Sequence, residues 1–245
     1  AVLLDRLMSR FIPGGGLLIV ASVCGILAFL AFEVLPLLRS ASAKPALARD
    51  DAAACFAVEF VDGTEEPFWV TREGVFVLAR GEREPRRLTV PGYDRIPVVG
   101  AASASVSRVL GILYSGGGFA LVRVERDRDK GIKLTVMETA ELAPAEPEAV
   151  AVARDEAGHP RIARLKAGRV TFAGPGRLGD VMESDLPVEG ARAIALASSG
   201  NLLAVALGGG EIETWNTEDA SDLKRTGTLP GRAAPATALA FLIGD

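Results

Sequence analysis

A chain of 245 residues with 27 basic and 31 acidic side chains carries a net charge of −4, which gives no electrostatic case for nucleic acid or another polyanion partner. Its single histidine, His159, excludes a histidine-rich metal site. Its two cysteines, with Cys24 at the depth of a membrane and Cys55 beyond it, do not make a disulfide framework and fit either redox compartment.

Residues 1–16 form a lead-in in which Asp5, Arg6 and Arg10 hold a polar boundary, and Pro13 followed by Gly14, Gly15 and Gly16 marks an entry turn. Leu17 to Leu38 then read as a membrane helix: LLIVASVCGILAFLAF runs sixteen residues without a charge, and VLPLL follows the single Glu33. At about 1.5 Å of rise per residue the stretch is roughly 33 Å long, enough to cross a hydrocarbon core of about 30 Å. It is apolar around its whole circumference, unlike the one-sided helix of a soluble protein. A secretory signal peptide is the competing reading, since Arg6 and Arg10 precede the run and Ala41-Ser42-Ala43 resembles a cleavage site. Ala43 stands eleven residues beyond Phe32, with Glu33, Pro36 and Arg39 between them, and that spacing favours an uncleaved span.

Within the span Glu33 lies close enough to the interface to reach headgroup water, the ordinary alternative to an ion pathway. Pro36 loosens the last turn, and Ala21, Ser22 and Gly25 form a small-residue face suited to a partner helix. Charge does not set the orientation, because Arg6 and Arg10 on one side are matched by Arg39, Lys44 and Arg49 on the other.

Residues 39–54, Ala-rich around Pro45, have the composition of a linker. From Cys55 the chain breaks into short β-type runs separated by Gly, Pro and charged turns: CFAVEFVDG, PFWVTREGVFVLARG, RRLTVPG, RVLGILYSGGGFALVRV, GIKLTVME, AVAVARDEAG, PRIARLKAGRVTFAG and ARAIALASSGNLLAVALGGGEIETWN. Two hairpins stand out. Leu121, Val122 and Val124 rise into a charged tip at Glu125 to Lys130, from which Ile132, Leu134 and Val136 return. Arg161 to Lys166 and Arg169 to Ala173 flank Ala167-Gly168, with Ile162, Leu165, Val170 and Phe172 as the expected inward residues.

An internal repeat organises the second half. AIALASSGN at Ala193 to Asn201 aligns with TALAFLIGD at Thr237 to Asp245 at an offset of 44 residues, placing Gly200 over Gly244, and VAVARDEAGH from Val150 matches after one insertion. A period of about 40 to 45 residues suits a propeller blade of four strands. Trp215-Asn216 falls where WD-type blades carry their Trp-Asp at the end of the third strand. An irregular, incomplete propeller over residues 55–245 is the expected fold, with a sandwich as the alternative; those 191 residues hold roughly four blades.

No motif commits the chain to catalysis, a metal or a cofactor, and no catalytic, metal or cofactor-binding residue is expected. The GGG runs lack the Lys-Ser/Thr and helix start of a phosphate loop, so GGGFAL and GGGEIE read as turns between strands while GGGLLI enters the span. GPGRLG at Gly174 to Gly179 reads as a loop. His159 lies in the turn AGHP, a poor centre for a Ser-His-Asp triad. Glu65-Glu66 and Asp127 with Asp129 read as solvated carboxylates of charged turns.

The stretch DRLMSRFIPGGGLLIVASVCGILAFLAFEVLPLLR, through Asp5 to Arg10, Gly14 to Gly16 and Glu33 to Leu38, resembles the start of the long-form permease subunit of the bacterial phosphate ABC transporter (PstC type). The resemblance covers about forty residues. It implies a cytoplasmic lead-in at 1–16, a first transmembrane helix in the inner membrane, and a periplasmic propeller-like insert. The partners it implies are membrane lipid, a second permease subunit, an ATPase subunit and a phosphate-binding protein. The permease core that would hold the phosphate path does not fall within these residues. The alternative expectation is a stand-alone, membrane-anchored propeller that acts as a scaffold or sensor for a protein partner.

Overall fold

Short apolar runs broken by turn residues yield strands throughout the described part of the computed structural model, which comprises residues 55–61, 64–82, 84–104, 109–127, 131–176, 180–231 and 236–241. The expected span at 17–38, with Cys24, Glu33, Pro36 and the Ala21, Ser22, Gly25 face, lies outside the described residues, as do the lead-in and linker. Among the described residues no helix is long and apolar enough to cross a membrane.

Sixteen strands are described and form four antiparallel sheets of four, each a meander in chain order. The first sheet comprises β1 (Cys55–Phe60), β2 (Pro67–Thr71), β3 (Gly74–Val77) and β4 (Arg86–Leu88). The second comprises β5 (Val98–Ala104), β6 (Val109–Tyr114), β7 (Gly118–Asp127) and β8 (Gly131–Glu141). The third holds β9 (Ala149–Arg154), β10 (Pro160–Lys166), β11 (Arg169–Pro175) and β12 (Val181–Asp185). The fourth holds β13 (Ala191–Leu196), β14 (Leu202–Leu207), β15 (Ile212–Asn216) and β16 (Lys224–Leu229).

The sheets associate through their first strands, β1 on β5, β5 on β9 and β9 on β13, which is the propeller-like order. Crowding at these contacts explains a glycine and alanine signature. A Cβ on Gly100 of β5 would lie 2.7 Å from Val150 Cγ2 of β9, and one on Gly111 of β6 would lie 2.6 Å from Val152 Cγ2. Side chains there would force the sheets apart.

Three apolar layers fill the spaces between successive sheets. Phe68, Val70, Val75 and Val77 of the first sheet pack on Leu110, Ile112, Ala120 and Val122 of the second. Leu113, Phe119 and Leu121 on the other face of the second sheet meet Val152, Ile162 and Ala173 of the third. Leu165, Val170 and Phe172 of the third meet Ile194, Leu203, Val205 and Trp215 of the fourth. The second and third sheets are therefore buried on both faces, which requires apolar residues at consecutive rather than alternate positions.

Both expected hairpins form, with differences. Pairing of β7 with β8 continues to Asp127 opposite Gly131, so Glu125 to Asp127 belong to the strand rather than the tip. Lys166 pairs with Arg169 around Ala167 and Gly168, whose φ angles of 50° and 75° supply the left-handed pair that a two-residue hairpin turn needs. Ile162 does not share a face with Leu165, Val170 and Phe172: it enters the layer toward the second sheet, and they enter the layer toward the fourth. The repeat marks real equivalents, since β9 and β13 are both first strands. Thr237 to Phe241, however, form no strand. In each sheet the first strand draws its ladder from the second, and among the described residues no strand is paired with this segment.

Candidate functional site

Turns on one side of the first two sheets surround an open depression of about 440 Å3 lined by Arg72, Glu73, Arg87, Asp94, Arg95, Ile96 and Pro97. Local chemistry fixes its walls. Thr71 Oγ1 accepts the Glu73 N–H at 3.2 Å, shaping the turn between β2 and β3. The Val98 N–H donates to the Arg72 carbonyl at 2.9 Å, which stitches that turn to the start of β5. Two further turns, Tyr93 N–H to Val90 carbonyl at 2.9 Å and Ile96 N–H to Tyr93 carbonyl at 3.2 Å, fold the loop that carries Asp94 and Arg95. Arg87 Nη2 donates to the Asp94 carbonyl at 3.3 Å across the floor.

Beneath the loop, Tyr93 stacks on Tyr114 with ring centroids 4.2 Å apart. Gly118 admits this pair, because a Cβ there would lie 2.4 Å from Tyr93 Cε1. Burial raises the Tyr114 phenol well above its ordinary value, with Tyr93 and Asp94 adding to the shift, and burial followed by Glu141 raises Tyr93. Both rings therefore serve as neutral support. The rim offers three guanidinium groups against two carboxylates, Arg72 lying 4.0 Å from the further carboxylate of Glu146, with Ile96 exposed between them.

Ion pairs join the first sheet to the second and brace the third against its neighbours. Glu66, expected to be a solvated turn residue, is only 5% exposed. Its Oε1 accepts the Arg80 N–H at 2.9 Å, and both its oxygens lie 3.2 Å from Arg126 Nη1 of β7. The carboxylate is buried because it ties the first sheet to the second, a role its acidic neighbour Glu65 does not share. On β10, Arg164 points toward the second sheet, donating to the Ala143 carbonyl at 2.6 Å and to Glu183. Arg161 points the other way, donating to the Thr217 carbonyl, to the Glu218 carbonyl at 3.1 Å and to Asp155 at 3.4 Å. Gly200 leaves room for it: a Cβ there would lie 2.4 Å from Arg161 Cδ.

The other residues singled out by sequence stay apart. His159 sits in the turn between β9 and β10, its Nδ1 3.7 Å from Asp155 Oδ2. Asp127 ends β7, 3.4 Å from Lys133, while Asp129 lies outside the described residues. Gly116 and Gly117, both at φ 99°, turn the chain between β6 and β7, and Gly210 at φ 89° does so between β14 and β15. In GPGRLG, Gly174 and Pro175 belong to β11, and Arg177 lies outside the described residues. Among the described residues no group of His, Cys, Asp and Glu could hold a metal ion. Arg72, Arg87 and Arg95 carry no sequence signal of a site, because nothing in their spacing shows that two turns and a strand bring them together.

No family model and no curated protein matches the chain. Among solved structures, a chain of the mitotic checkpoint complex crystal structure aligns over 82% of this chain with 13% sequence identity and a TM-score of 0.45; this chain spans 63% of that protein's length.

Proposed function

We propose that residues 55–245 form a propeller-like scaffold, each four-stranded sheet acting as one blade, that binds an acidic protein surface through the depression around Arg72, Arg87 and Arg95. The observation that carries this reading is the arginine-rimmed depression, built on turns of two sheets that Glu66 and Arg126 lock together. A rigid frame presenting fixed loops limits the entropy lost on binding. The apolar stretch 17–38 would hold the scaffold at a membrane. The test replaces Ile96 with a photo-cross-linking residue in cells that make the protein. A single protein adduct is expected, and Arg72→Glu with Arg95→Glu should abolish it without changing the circular dichroism; no protein adduct, or one indifferent to the charge reversal, would refute the reading.

The lead-in and span at Asp5 to Arg10, Gly14 to Gly16 and Glu33 to Leu38 favour a second reading, a portion of a phosphate-importing ABC permease in the inner membrane with the propeller-like part in the periplasm. Its partners would be the second permease subunit, the ATPase subunit and the phosphate-binding protein. A reporter fused after residue 50 tests the orientation: activity on the cytoplasmic side sinks it.

A further inference from the structure

The first sheet has an outer face that breaks the pattern of the other three. In register across the sheet, Val58 pairs with Trp69 and Trp69 with Phe76, while Phe60 pairs with Pro67. Trp69 and Phe76 stack with ring centroids 6.2 Å apart. Val58 and Phe60 are 65% and 63% exposed. Arg87 of β4 lies opposite Phe76, whereas Glu59 lies opposite Phe68 on the other face, so the strands place no carboxylate among these apolar residues. At the corresponding face of each later sheet the residues are buried against the sheet before it: Ile112 and Val122, then Ile162 and Ala173, then Leu203 and Trp215.

We infer that this face docks on the lipid surface of the membrane that the apolar stretch 17–38 would cross, seating Val58, Phe60 and Trp69 among the headgroups. The inference rests on the reading of that stretch as a membrane span. Chain length, side-chain chemistry and area each favour this occupant. The sixteen residues 39–54 that join the stretch to β1 reach roughly 55 Å at most, and they enter the sheet on Cys55–Phe60, the strand that carries Val58 and Phe60. Aromatic rings with an arginine beside them are the side chains that gather where headgroups meet hydrocarbon, the rings spanning the boundary and the guanidinium meeting lipid phosphate; Trp69, Phe76 and Arg87 make such a set. Four strands of three to six residues present a face on the order of 300 Å2. Stable association of free proteins takes about 800 Å2 from each partner, which argues against a second copy. A tethered face needs far less, because a short linker holds it at an effective concentration on the order of millimolar.

The test follows Trp69 by contact quenching. The 245-residue chain is reconstituted in phosphatidylcholine–phosphatidylglycerol vesicles, with and without phosphatidylcholine brominated high on its acyl chains, beside the variant Trp69→Phe, which leaves Trp215 as its one tryptophan. Brominated lipid should quench the unaltered chain and leave Trp69→Phe unchanged, because Trp215 is buried between the third and fourth sheets. Val58→Asp with Phe60→Asp should abolish the quenching without changing the circular dichroism. Quenching that survives this double substitution would overturn the inference. So would Trp69 emission untouched by brominated lipid, in favour of a second copy if that emission shifts when the protein is diluted in lipid. Flotation of the vesicles after alkaline extraction separates the two readings: a chain that is extracted has lost the span and with it the docked face, whereas a chain that floats with Trp69 unquenched keeps the span and loses only the docking. Neither outcome bears on the adduct at Ile96, so the binding role of the depression stands or falls separately.

Discussion

In the second sheet Ile112 and Val122 are covered on one face and Phe119 and Leu121 on the other, whereas in the first sheet only Phe68, Val70, Val75 and Val77 are covered and Val58 and Phe60 meet solvent. Both sheets carry apolar residues on both faces, so composition does not distinguish them. Position in the stack does: an inner sheet has two neighbours, and the first described sheet has one. The two tryptophans mark the same contrast, since Trp215 lies in the layer between the third and fourth sheets at 6% exposure while Trp69 stands half-buried on the uncovered face. Burial here is therefore a property of the assembly of sheets, not of the strand.

The contrast predicts its own largest effect. Truncating Phe119, which has no exposed surface, by Phe119→Ala removes packing from the layer between the second and third sheets and should cost about 3 to 5 kcal/mol. Phe60→Ala removes a ring of the same size from the open face and should change stability by no more than about 0.5 kcal/mol. Urea unfolding in mild detergent, followed by tryptophan fluorescence, measures both. Comparable losses at the two sites would show that the outer face of the first sheet is covered in this chain.

A smaller effect is expected where charge rather than apolar surface joins neighbouring sheets. Arg161 is buried between the third and fourth sheets and serves two carbonyls and Asp155. Arg161→Leu leaves those acceptors without their donor and should cost about 2 to 3 kcal/mol. Arg161→Lys keeps the charge but not the planar fork that reaches Thr217 and Glu218 together, so it should restore only part of the loss. A neutral Arg161→Leu in the same unfolding measurement would mean that the apolar layer alone holds the fourth sheet.

The β-domain is legible in runs such as PFWVTREGVFV and RVLGILY, where strongly apolar strands are interrupted by turn residues. The position of Trp215-Asn216 at the end of a third strand is legible too, because the repeat fixes the phase of the fourth sheet. β5, β12 and β16 are not legible, for two physical reasons. The small residues of β5, around Gly100, Ala101 and Ala102, answer to the close approach of β9 and carry no alternation. β12 and β16 are outermost strands, paired on one side, and their polar sequences VMESD and KRTGTL satisfy solvent instead of a core. The depression was illegible because Arg72, Arg87 and Arg95 come from separate turns and a strand. The burial of Glu66 was hidden because its partner Arg126 lies sixty residues away.

The weakest expected effect tests the covered sheet at its rim. Glu138 on β8 sits opposite Leu121, whose face meets the third sheet. Burial raises its pKa; His159 and Arg154 pull it down, Asp155 pushes it up, and burial prevails. A carboxyl with a raised folded-state pKa binds its proton more tightly in the folded than in the unfolded chain. Its ionisation therefore opposes folding at neutral pH, and that penalty is relieved as pH falls through the raised folded value toward the ordinary carboxylate value. The Glu138→Gln variant lacks this relief. The urea midpoint of the unaltered protein, measured relative to that of the variant, should rise on acidification from about pH 7 to about pH 4. Were the third sheet not seated on this face, Glu138 would be solvated like any surface carboxylate, and the difference between the two midpoints would be independent of pH.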